Sequence, residues 1–370
     1  MNAIVISHLR RVFKSHIGVI KRTTKEIVAV DDISFDIQEG ELFGLLGPNG
    51  AGKTTATKML TTLLIPTGGF ATVKGFDVVK RADEVRKRIG FIFGGERGLY
   101  WRLSGIDNLR YFASLYGIDP DVSKKRIAYL LELVGLNGRG EENVSGYSRG
   151  MKQRLHVART LLHNPDILFL DEPTLGLDPV GAREFRQVIL DLQSEKKTIL
   201  LTTHYMFEAD ALCDRIAVIN RGRIIALDTP GGLKTHVKDL NVVELETFGL
   251  PNEMLEKLRA LSFVDALSVE EQGQKQILLL QTARGAEAVP DIMGAIEGQR
   301  VGRVVVREPT LEDAYVRLVV GGAGLGEVSS CFGGNWELAC STASWDISCS
   351  RGSKCRPNGE ECWKCFKSRL

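Results

Sequence analysis

The spacing of apolar and polar residues changes character several times along the chain, and each change marks a new element. Residues 3–13 and 26–38 read as strands of an antiparallel edge, with Glu39-Gly40 as the turn that follows. Residues 41–46, 166–170 and 199–203 are short, mostly apolar runs, the pattern of strands buried on both faces in a parallel sheet. The first leads through a glycine-rich stretch into a helix over 53–64. Residues 70–80 resume the β pattern after the break Pro66-Thr67-Gly68-Gly69. Two helical stretches fill 105–136, where Ile127, Leu130, Leu131 and Val134 recur at helical spacing. A further helix is predicted over 154–162, and residues 215–228 predict two strands around the tight turn Asn220-Arg221-Gly222.

These elements make a first module over 1–235, and the pattern then changes. Strand-like runs at 242–246, 276–280 and 304–306 and helix-like runs at 252–261 and 287–296 predict a small α+β module over 240–320. Its last helix opens at Thr310, a capping residue followed three positions later by Asp313. This module holds no paired catalytic acids or metal-ligand spacing. It reads as a dimer-stabilising appendage, with a regulatory ligand site as the alternative. The tail, 324–370, carries six of the chain's seven cysteines and three of its four tryptophans, with few aliphatic residues and many Ser and Gly. It is expected to be poorly ordered. A zinc role would rest on the single pair Cys362-Trp363-Lys364-Cys365, which lacks a second C-x-x-C to complete it.

The chemistry concentrates at the ends of the three apolar runs. Gly47, Pro48, Asn49, Gly50, Ala51, Gly52, Lys53 and Thr54, followed by Thr55, fit the phosphate-loop pattern G-x-x-x-x-G-K-[ST]. Glycines let backbone N–H groups close on phosphate oxygens, Lys53 reaches the β- and γ-phosphates of a nucleoside triphosphate, and the Thr54 hydroxyl suits a magnesium ion. The helix that follows adds positive potential beneath the phosphates. The second run ends in Asp171-Glu172, where Asp171 can hold the magnesium and Glu172 can polarise an attacking water. The third ends at His204, at the strand edge where parallel α/β sheets gather ligands.

Between these landmarks lies Tyr147-Ser148-Arg149-Gly150-Met151-Lys152-Gln153-Arg154-Leu155. This stretch resembles the signature motif of ABC-type ATPases, usually Leu-Ser-Gly-Gly-Gln. The order of motifs, ending in Leu175-Gly176-Leu177-Asp178 and His204, resembles the ABC nucleotide-binding domain. Residues 94–103 add a likeness to the ATPase subunits of bacterial multidrug and daunorubicin-type exporters. The resemblance runs from residue 1 to about 320. It implies an α/β fold of the P-loop NTPase type: a parallel core sheet, an antiparallel β edge and a helical subdomain, with a small α+β C-terminal appendage. It also implies MgATP as cofactor. Lys53, Thr54 and the loop backbone would bind phosphates, Asp171 would support magnesium, Glu172 would be the catalytic base and His204 would sense the γ-phosphate. Ser148 and Gly150 would cap the nucleotide of a second copy, Asp178 would link the two sites, and a homodimer would close around two ATP molecules.

The sequence departs from that pattern in three places. Arg149 and Met151 stand where Gly and Gln are more usual. The glutamine expected just after residue 93 is absent, with Gly94, Gly95 and Glu96 in its place. The adenine-stacking aromatic would be Phe13, for which core packing is the alternative. An extra stretch, 14–25, mixes apolar and basic residues and reads as a headgroup or permease contact or as an exposed, charged hairpin.

Composition limits the partners. A formal charge of +2 over 370 residues implies no nucleic-acid partner. No apolar run approaches the roughly 20 residues that span a bilayer, and the first eleven residues are too weakly apolar for a secretory signal. The expectation is a cytoplasmic ATPase, peripheral on the inner face of the membrane, driving a separate integral permease. The rival readings are a soluble ABC ATPase of translation or DNA maintenance and a regulatory subunit with weak turnover.

Overall fold

A computed structural model describes residues 1–17, 23–93, 98–235, 237, 240–273 and 275–321. The tip of the 14–25 stretch, Gly94, Gly95, Glu96 and the cysteine-rich tail lie outside the described residues.

The chain opens with two long strands, β1 (Asn2–Ile17) and β2 (Thr23–Gln38), paired antiparallel. Next come the buried strand β3 (Leu42–Leu46) and helix α1 (Lys53–Leu60). The predicted 70–80 strand is two pieces, β4 (Gly68–Val73) and β5 (Phe76–Asp77), split by a turn in which Lys74 and Gly75 both take positive φ. The short helix α2 (Ala82–Arg86) leads to β6 (Ile89–Phe93). Three helices follow, α3 (Gly105–Leu115), α4 (Pro120–Leu133) and α5 (Arg149–Thr160). Helix α5 starts five residues before the predicted 154, because Ser148 caps it: its Oγ accepts from the Met151 N–H at 3.2 Å. Then come β7 (Ile167–Asp171), α6 (Pro179–Ser194), β8 (Thr198–Thr203), α7 (Met206–Leu212), the hairpin β9 (Arg215–Asn220) and β10 (Arg223–Asp228), and α8 (Pro230–Thr235).

The central sheet runs β10-β9-β3-β8-β7-β6, parallel except for the edge strand β10. Because strand side chains alternate between faces, its apolar residues divide between two cores. Phe43, Leu45, Phe169 and Leu200 face the antiparallel sheet β2-β1-β4-β5. Leu42, Leu46, Leu168, Leu170 and Leu201 face the helical layer that includes Leu130, Leu155 and Phe185. Removing both faces from water explains why these strands read as unbroken apolar runs.

The second module has its own sheet, β12-β13-β11-β14, formed by β11 (Asn241–Thr247), β12 (Ala266–Gln272), β13 (Lys275–Thr282) and β14 (Val301–Arg307). Leu258 of α9 (Asn252–Arg259) and Ile292 of α10 (Val289–Ala295) join Val243, Leu245, Leu278 and Leu280 in its core. The final helix, α11 (Leu311–Gly321), begins as the sequence predicts: the Thr310 N–H donates to Asp313 Oδ2 at 2.6 Å. Its packing is not what the sequence suggests. Leu311 and Tyr315 enter the core of the first module, not the second. No described helix is long and apolar enough to cross a membrane.

Candidate active site

Strands β3, β8 and β7 are neighbours and end at one sheet edge, with Leu46 opposite Thr203 and Thr202 opposite Asp171. The glycine-rich loop, Glu172 and His204 are the first residues past those ends. The fold therefore gathers groups that the chain keeps far apart.

Lys53 sits in the first turn of α1 with its side chain 4% exposed. Its Nζ donates to the carbonyls of Gly47 at 2.7 Å and Pro48 at 3.1 Å, and lies 3.2 Å from Glu172 Oε1. His204 Nδ1 is 3.3 Å from that same oxygen, without hydrogen-bond geometry. Glu172 gets there through a sharp backbone turn. Its φ is +49°, in the left-handed region, which costs an L-residue roughly 1–2 kcal/mol. Its N–H donates to the Thr202 carbonyl at 3.0 Å, which holds the turn.

Thr54 and Asp171 meet as the sequence implied. The Thr54 hydroxyl donates to Asp171 Oδ2 at 2.8 Å, across 117 residues of chain. The other carboxylate oxygen accepts from the Thr202 hydroxyl at 2.5 Å. Thr202 was not singled out from sequence, although a pair of threonines closing an apolar strand was a visible signal. A buried carboxylate beside a hydroxyl is a hard-oxygen pair of the type magnesium prefers.

The loop glycines have unequal jobs. A Cβ on Gly47 would lie 2.2 Å from the Ile219 carbonyl oxygen, and one on Gly52, at φ +113°, 2.5 Å from that of Ala29. Gly50, at φ +78°, has nothing within 4 Å. The fold itself thus excludes side chains at Gly47 and Gly52, whereas at Gly50 only the backbone angle and an incoming ligand matter. Gly47→Ala is expected to cost about 3 kcal/mol of stability, the upper end of overpacking losses. Gly50→Ala should cost only about 1 kcal/mol but lose more nucleotide affinity. Chemical denaturation and nucleotide titration of both variants check this split.

Ser148 is exposed at the start of α5, and Asp178 caps α6, accepting from the Gly181 N–H at 3.3 Å. Both of the sequence's substitutions in this motif have seats. Met151 packs against the helical core, and the Arg149 guanidinium lies on Gly176, where a Cβ would come within 2.2 Å of Nη1. Gly150 has only ordinary contacts, Gly181 Cα at 3.7 Å and Ser148 Oγ at 3.9 Å from an added Cβ. Phe13 is not a core residue: it is 37% exposed, with the Arg11 guanidinium 4.6 Å above its ring.

The helical layer carries exposed aromatics. Tyr100, Trp101, Tyr111 and Tyr116 are each 42–51% exposed, and the Lys152 ammonium lies 5.0 Å from the Trp101 ring.

Comparison with known proteins agrees with this geometry. The profile of the family described as ABC transporter matches residues 30–175. The ABC transporter ATP-binding protein NatA of Bacillus subtilis is 47% identical over 201 residues, 54% of this chain and 82% of that protein. The daunorubicin resistance ATP-binding protein DrrA2 of Streptomyces coeruleorubidus is 38% identical over 294 residues, 78% of this chain and 90% of its own. Among solved structures, cbiO1 of Clostridium perfringens, part of the ABC transporter complex cbiONQ, superposes with a TM-score of 0.56. It is 26% identical and is covered over 91% of its length, against 63% of this chain.

Proposed function

Because this chain belongs to the ABC transporter family as an ATP-binding, ATP-hydrolysing subunit, we propose that it powers export through a separate integral membrane permease. Two copies would bind MgATP, close face to face, drive the permease, and part after hydrolysis. The observation that carries this reading is the convergence of Lys53 and His204 on one oxygen of Glu172, at 3.2 and 3.3 Å, beside the Thr54–Asp171 pair.

Gly47 to Thr55 would wrap the triphosphate. Lys53 would leave the Gly47 and Pro48 carbonyls for the β- and γ-phosphates. Glu172, released from Lys53, would take a proton from the attacking water, and His204 would hold the γ-phosphate. Thr54 and Asp171 would hold magnesium, which supplies positive charge at the phosphates when bound. Ser148, Gly150 and Asp178 would meet the nucleotide site of the second copy, and Phe13 would lie against adenine. Exposed apolar residues beside these motifs, Leu175, Val180 and Phe207 at 43–71%, are suited to burial between copies. The aromatic surface around Tyr100 and Trp101 is suited to the permease. The chain would then act on the cytoplasmic side, held to the membrane through its partner. Resistance to daunorubicin, which names one relative, suggests an antibiotic-like cargo.

The test is a pull-down from detergent-solubilised native membranes with tagged Glu172→Gln chain and MgATP, read by mass spectrometry. One multi-span membrane protein in near-equal amount is the expected result. Ribosomal or DNA-bound partners, or none, would overturn the transport reading.

A further inference from the structure

We propose that Glu208 is a positioning residue for ATP hydrolysis, a buried carboxylate that fastens the segment after Glu172 to the segment carrying His204. The inference rests on the roles proposed above for Glu172 and His204.

Glu208 lies in the first turn of α7, four residues past His204, and is only 2% exposed. One of its oxygens accepts from the Thr174 hydroxyl at 3.2 Å. Thr174 is two residues past Glu172 and is itself buried. The hydroxyl of Thr203, the residue immediately before His204, favours the charged form of the same carboxylate. Thr203 is nearly inaccessible, and its oxygen also accepts from the Tyr205 N–H at 3.0 Å. His204 is therefore bracketed: Thr203 before it and Tyr205 after it meet at one hydroxyl, and Glu208, four residues on, ties this segment to Thr174.

An acid in a first helical turn commonly serves only the helix dipole, from an exposed position. Glu208 differs in burial and in reach, since Thr174 is 34 residues away in the chain. Burial pushes its carboxyl above the ordinary range, a penalty that the Thr203 and Thr174 hydroxyls and the Arg186 guanidinium reduce. A buried acid held at such cost is explained if the two segments must keep a fixed spacing. That spacing is the 3.3 Å between His204 and Glu172. Glu172 stands on a left-handed backbone and His204 lies between a strand end and a short helix, so each needs support from outside its own segment.

The test compares native chain, Glu208→Ala, Glu208→Gln and Thr174→Val in steady-state ATP hydrolysis, with melting temperatures and a Glu172→Gln control. Loosening a catalytic group by about 1 Å can cost up to about 100-fold in rate, so Glu208→Ala should lower kcat by roughly 10- to 100-fold. KM for ATP should stay within about 3-fold, as expected when an interaction used in the transition state is lost. Glu208→Gln keeps an acceptor oxygen and should recover most of the rate. Thr174→Val, which keeps its shape but loses one donor, should fall between native and Glu208→Ala. The proposal is overturned if Glu208→Ala and Thr174→Val turn over at the native rate. It is equally overturned if kcat falls only with the folded fraction, or if Glu208→Gln is as slow as Glu208→Ala. If Glu172→Gln itself hydrolyses like native chain, the underlying site reading fails and takes this inference with it. If that control is dead and the Glu208 variants are normal, only this inference fails.

Discussion

Replacing Glu172 by Gln is expected to lower steady-state ATP turnover by about 100- to 10,000-fold, the range over which a positioned general base contributes. The substitution keeps the size of the side chain and an oxygen beside Lys53 and His204, but removes the proton acceptor. ATP binding should survive or tighten, because the incoming triphosphate no longer competes with a carboxylate for Lys53. Phosphate release and titration with a fluorescent ATP analogue separate the two effects. Turnover within about 10-fold of native would assign the base elsewhere, since that is less than general-base catalysis is worth.

Lys53→Met should act on the other half of the cycle. Lys53 is a buried cation whose partners are two carbonyls and Glu172. Once a triphosphate is bound, its proposed partners are two phosphate groups. Charge-assisted hydrogen bonds contribute about 1.5–3 kcal/mol each, so losing two predicts at least about 100-fold weaker ATP binding. The fold should hold, since methionine fills a similar volume and α1 keeps its apolar contacts through Ala56, Met59 and Leu60. Equilibrium dialysis against ATP, with circular dichroism of the empty protein, tests both halves. Unchanged affinity would mean that Lys53 serves only to neutralise Glu172.

The site was legible where chemistry is written as local spacing. The glycine-rich loop, Asp171-Glu172 and His204 each end an apolar run, and a parallel sheet brings such ends together. Helix α6 was equally legible but was not among the predicted elements. Asp178 and Pro179 form a start signal, and Phe185, Val188, Ile189 and Leu192 keep helical spacing. Other features had no local signature. Whether a cradle glycine answers to its own fold or to a ligand depends on backbone from remote strands, as Ile219 and Ala29 show. The bond between Thr174 and Glu208 joins two ordinary-looking residues, and only the three-dimensional arrangement gives it meaning. Phe13 could stack on adenine or join the core by sequence; it lies on the part of β1 that runs past the pairing with β4, and there it stays exposed.

Helix α11 sets a schedule for making the protein. It packs against α7 and α8 and supplies Leu311 and Tyr315 to the first core, yet 86 residues separate the end of α8 at Thr235 from its own end at Gly321. At about 5–20 residues per second, a ribosome needs roughly 4–17 s to cover that distance. Throughout that interval the nascent ATPase carries an open apolar seam beside the helix that follows His204. The appendage can fold on its own sheet meanwhile, but the nucleotide-binding half is sealed only when α11 has emerged. Slow codons before residue 311 would prolong the exposed state, and a chaperone that shields apolar surface would find its work there.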